Sequence, residues 1–113
     1  MKKKPNDGPN AFVVKLFKLK TGETIVSKMR KVENTIVLRD PMQLLSIPLF
    51  DEKGFLNGND LCFREWIEGA ASQKFIIEAN IVLVETDCAR EIRILYDKTL
   101  AAGSDSYNQD IID

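Results

Sequence analysis

The chain contains no histidine, and that absence removes much of the catalytic repertoire. A Ser/His or Cys/His pair needs an imidazole to take the nucleophile's proton. Cys62 and Cys88 lack paired metal-site spacing and have no His to complete a site. A helix start can lower a thiol pKa at Cys88, but packing as a small apolar residue explains both cysteines. Asp51-Glu52 sit beside Lys53 in a polar stretch without metal-ligand spacing. Gly54 and Gly58 do not lead into Lys-Ser or Lys-Thr, so no phosphate-cradling loop is present. These residues point away from an enzyme, and no metal or cofactor is expected.

The chemistry that remains is binding. Lys28, Arg30 and Lys31 stand just before Asn34. Cations hold phosphates, and an Asn amide both donates to and accepts from a base edge. The alternative is that the three cations pair with acidic groups of a neighbouring copy. Trp66 could stack on a base, though its strand position favours core or subunit-interface packing. Formal net charge is only −1, yet residues 1–32 carry nine Lys or Arg against two Asp or Glu, and residues 33–113 carry seven against fifteen. One region is therefore cationic and the other anionic, which serves a polyanion, self-association or simple solubility.

The elements that position these residues can be read from turns. At 113 residues, with 44% apolar and 29% charged side chains, the chain is one ordinary globular domain. Residues 1–10 read as a flexible basic arm carrying Lys2, Lys3 and Lys4. No secretory leader or membrane-length apolar run follows, so no membrane and a cytoplasmic location are expected. Ala11–Leu19 reads as a strand, Thr21-Gly22 as a turn and Thr24–Arg30 as an alternating strand. Glu33-Asn34 makes the next turn, with Asn tolerating left-handed geometry. Thr35–Arg39 is a strand interrupted at Asp40-Pro41, and Met42–Phe50 resumes it. Asp51–Asp60 reads as a long hairpin loop before the strand Leu61–Ile67, and Gly69–Ser72 as another loop. Phe75–Ile77 and Ile81–Val84 are short strands around Glu78-Ala79-Asn80. Asp87 is placed to cap a helix over residues 87–103 that stops at Gly103. Residues 104–113 read as an acidic tail. The domain proper, residues 11–86, is then a small, mainly β, strongly bent barrel followed by a helix.

Leu19-Lys20-Thr21-Gly22-Glu23 and Asn34-Thr35-Ile36-Val37-Leu38-Arg39-Asp40 resemble the first motif of the Sm-like family. Phe75–Val84 is similar to the paired last strands of its second motif. The overall pattern resembles divergent, phage-encoded Sm-like proteins. The resemblance implies a five-stranded SH3-like barrel and edge-to-edge assembly into a closed ring of about five to seven subunits. It also implies RNA, or single-stranded DNA, bound near the pore in nucleic-acid processing, in the host cytoplasm for a phage product. On that likeness Asn34 contacts a base, Arg30, Lys31 and Lys28 contact phosphates, and Asn80 joins them from the second motif. Val32 stands where a stacking side chain is usual, Arg30 where an Asp is usual, and Glu78-Ala79 where Arg-Gly is usual. The alternative function is a structural or protein-interaction ring indifferent to nucleic acid.

Overall fold

The computed structural model describes residues 11–112, with side chains through residue 103. The expected arm, residues 1–10, lies outside them. Six strands run β1 Val13–Leu19, β2 Thr24–Val32, β3 Thr35–Phe50, β4 Leu56–Glu65, β5 Lys74–Glu78 and β6 Val82–Thr86. A 3-10 turn, Ala79–Ile81, separates β5 from β6, and a helix, α1 Arg90–Ile112, follows. All pairings are antiparallel in one sheet ordered β4-β3-β2-β1-β6, with β5 on β3. The fold is thus mainly β with a C-terminal helix, as expected. Among the described residues the strand number is six rather than five, and the sheet is not closed.

Tight turns set the register of the first three strands. Gly22 takes φ 105, a region open to glycine because it has no Cβ. Its N–H bonds the Leu19 carbonyl at 2.9 Å, and the Leu19 N–H bonds the Glu23 carbonyl at 2.9 Å. At the second turn the left-handed residue is Glu33, φ 55, not Asn34. Val32 pairs with Thr35, so only two residues make the turn, and the first must take positive φ. Asn34 is thereby left with its side chain available at the tip.

Asp40-Pro41 bends β3 rather than breaking it. Val26 and Lys28 of β2 pair with Met42 and Arg39, so β3 carries one extra residue there, a β-bulge. Asp40 takes φ 52 in this bulge, where Pro41 owes the ladder no N–H. The bend lets one edge of β3 serve two partners. Residues 35–39 pair with β5, and residues 42–50 pair with β4. The expected long loop at Asp51–Asp60 is instead a short turn. Asp51 Oδ1 accepts the Lys53 and Phe55 N–H groups at 2.9 Å each, which frees Leu56 onward to pair as β4.

The two sheet faces carry separate apolar clusters. Phe17, Leu19, Ile25, Met29, Ile36 and Leu38 fill the concave face, joined by Trp66, Phe75, Ile77, Ile81 and Val82. On the other face Val26, Phe63 and Tyr96 are buried with Val14, Leu16, Met42, Leu44, Ile92 and Leu95. There α1 covers the sheet, and Phe63 and Tyr96 meet edge to face at 5.9 Å. Asp87 does not cap this helix. It pairs with Lys15 of β1, and the Ala89 carbonyl accepts the Arg93 N–H at 3.0 Å as the first helical bond. The helix also continues through Gly103 into residues 104–112, read above as tail. Glycine costs about 1 kcal/mol in a helix interior, which disfavours but does not forbid continuation.

Candidate nucleic-acid interface

The β2–β3 turn and the 3-10 turn after β5 come together at one end of the sheet. The Ala79 N–H donates to the Asn34 carbonyl at 2.9 Å, extending the β3–β5 ladder by one bond past Thr35 and Glu78. Asn34, Glu78, Ala79 and Asn80 line an open cleft of about 460 Å³. Two amide side chains from turns far apart in sequence therefore face one space. An amide pair offers both donors and acceptors to a base edge, and Glu78 adds an acceptor. A carboxylate there favours exocyclic amino donors over phosphates.

The three expected cations do not form one patch. Met29 and Lys31 lie on the concave face, and Lys28 and Arg30 on the other, as the β2–β3 register requires. Lys31 Nζ pairs with Glu85 Oε1 of β6 at 3.1 Å, which the curl of the sheet makes reachable. Lys28 Nζ pairs with Asp40 Oδ2 at 3.1 Å, beside the bulge. The guanidinium carbons of Arg30 and Arg39 each lie 5.1 Å from the centroid of the Phe12 ring, within cation–π range. Arg39 was not singled out as a binding residue in the sequence. The signal for Arg39 was present, because a two-residue turn at Glu33-Asn34 puts it directly opposite Lys28.

The other chemistry-bearing residues are structural. Trp66 packs on the concave cluster, edge to face with Phe75 at 5.6 Å, and its Nε1 donates to Glu23 Oε2 at 2.8 Å. Hydrogen bonds from Thr21 and then Trp66 hold the Glu23 carboxyl below the usual carboxylate range. Cys88 packs among the residues under α1, and burial pushes its thiol pKa up rather than down. Among the described residues no group of His, Cys, Asp and Glu side chains is arranged to hold a metal ion. No described helix is long and apolar enough to cross a membrane.

The chain matches no protein-family model and no curated protein. The functional reading therefore rests on the residues and their geometry.

Proposed function

We propose that this is a non-catalytic, Sm-like protein that binds RNA or single-stranded DNA as a homo-oligomeric ring. The observation that carries the reading is the cleft where Asn34 and Asn80 converge, with the Asn34 carbonyl held by Ala79. In this reading Asn34 and Asn80 meet base edges, and Arg30 and Lys31 approach the phosphates from either side of β2. Ring assembly is supported by open strand edges. Among the described residues β5 pairs only with β3 and β6 only with β1, and Ile76, Leu83 and Val84 there are 69%, 60% and 53% exposed. Edge pairing between copies would cover them.

Light scattering with and without labelled oligo-uridine and oligo-adenosine tests ring and ligand together. The expected result is a closed oligomer that binds an oligonucleotide salt-sensitively. Asn34→Ala/Asn80→Ala weakens binding about tenfold, within the range of a lost base-edge contact. Charge reversal at Arg30 and Lys31 removes it. Binding indifferent to all these changes overturns the reading.

A second reading, an assembly module that meets protein instead, is favoured by the β3–β4 hairpin tip. Ile47, Leu49, Phe50, Phe55 and Leu56 are exposed there, rimmed by Asp51, Glu52 and Asp60. Apolar patches with a polar rim serve protein contacts. A ring that ignores oligonucleotides at low salt selects this reading.

A further inference from the structure

Lys28, Arg39 and Lys74 stand directly opposite one another across β2, β3 and β5. Opposed residues of an antiparallel pair share a face, so the three side chains form one row on strands about 4.8 Å apart. The next row along is Arg30, Val37 and Ile76. Like charges placed directly opposite work against the sheet, and here three follow in succession. Asp40 offsets Lys28. Arg39 and Lys74 are exposed and, among the described residues, make no ion pair. Phe12 touches the guanidinium groups of both Arg30 and Arg39, which orders two long side chains before any ligand arrives.

We propose that this row, with Arg30 beside it, is a phosphate track for a single-stranded nucleic acid, separate from the Asn34–Asn80 cleft. The row lies four residues along β3 and β5 from Thr35 and Glu78, about 13 Å at strand rise. It goes beyond the proposed function, since it requires no base reading in the cleft. The rest of the same face, from Val14 to Phe63, is covered by α1. The track therefore runs from the helix to the open edge of β5. Arginine planes bind phosphate oxygens in pairs and stack on bases, which matches one strand laid across the row. An anionic bilayer fits less well. Surface-binding segments gather about four to eight basic residues, whereas of the four cations here Lys28 is already paired with Asp40.

The experiment measures anisotropy of a labelled abasic deoxyribose-phosphate strand, a base-bearing strand of equal length, and phosphatidylserine vesicles. Wild type, Arg39→Glu/Lys74→Glu and Asn34→Ala/Asn80→Ala are titrated at rising salt. The track predicts that wild type and Asn34→Ala/Asn80→Ala both bind the abasic strand. Arg39→Glu/Lys74→Glu loses it, and the salt slope for the base-bearing strand falls by about 1.4 for the two cations. Lys74→Glu alone also weakens binding while holding or raising the melting temperature, because its carboxylate faces Arg39. Loss of binding with a lowered melting temperature in that variant counts against the track. No binding of the abasic strand by wild type, with the base-bearing strand still bound, overturns the track and leaves the cleft reading standing. Loss of base-bearing binding in Asn34→Ala/Asn80→Ala, with Arg39→Glu/Lys74→Glu unaffected, does the same. Vesicle binding without strand binding assigns the row to a membrane and overturns it as well.

Discussion

Single residues decide the turns and the bulge, and two of them sit in conformations of opposite suitability. Gly22 at φ 105 is the residue its turn demands, so Gly22→Ala is expected to cost about 1 kcal/mol, read from a denaturant midpoint. Glu33 at φ 55 carries a Cβ in the left-handed region, so Glu33→Gly is expected to raise stability by about 0.5 kcal/mol. Gly22 could be read in the chain because only one residue type suits that geometry. Glu33 could not, because Asn34 beside it is the better left-handed former by type, and the two-residue hairpin imposed the strain on its neighbour. Asn34 stood out as a candidate from its turn, and Asn80 from the Sm-like resemblance alone. Their meeting in one cleft depended on β5 pairing with β3, a long-range choice that no local pattern encodes.

At the scale of elements, the bent β3 and the helix share a hydrogen bond as well as an apolar cluster. Tyr96, fully buried, donates its hydroxyl to the Asp40 carbonyl at 2.7 Å. Tyr96→Phe removes that bond and is expected to cost about 1 kcal/mol. Burial also raises the Tyr96 pKa above its ordinary 10.0. The folded phenol stays neutral where the unfolded one ionises, so stability from it is complete below pH 10 and declines as pH rises above that. Chemical denaturation between pH 8 and pH 11 is expected to show this decline in wild type and a weaker one in Tyr96→Phe. The strand periodicity around Asp40-Pro41 was readable, but its continuity was not, because Pro reads as an interruption until a bulge is there to receive it. The helix was readable from its apolar spacing at Ile92, Leu95 and Tyr96. Its ends were not, since Asp87 found Lys15 instead of the helix N-terminus.

At the scale of the whole molecule, the sheet ends in edges that carry apolar side chains. Ile76→Glu with Leu83→Glu places charge on both edges and is expected to reduce the proposed assembly to monomers by light scattering, with the circular dichroism of the fold retained. An unchanged mass would separate these edges from any assembly. The charge division between residues 1–32 and 33–113 was plain in sequence. How it is distributed in space was not, because Lys28 and Lys31 lie on opposite faces and each meets a carboxylate of the acidic part. The connection between β4 and β5 has a different consequence. Its first residue donates a backbone bond, Trp66 N–H to the Pro41 carbonyl at 3.2 Å, and its last accepts one, Gln73 carbonyl from the Asp40 N–H at 2.8 Å. Both ends of the segment are thus pinned to one dipeptide, so its contour can grow while its anchors stay fixed. Doubling such a loop costs only about 0.6 kcal/mol in closure entropy. Residues 67–72 are therefore expected to accept a grafted peptide tag or guest domain with the host fold retained.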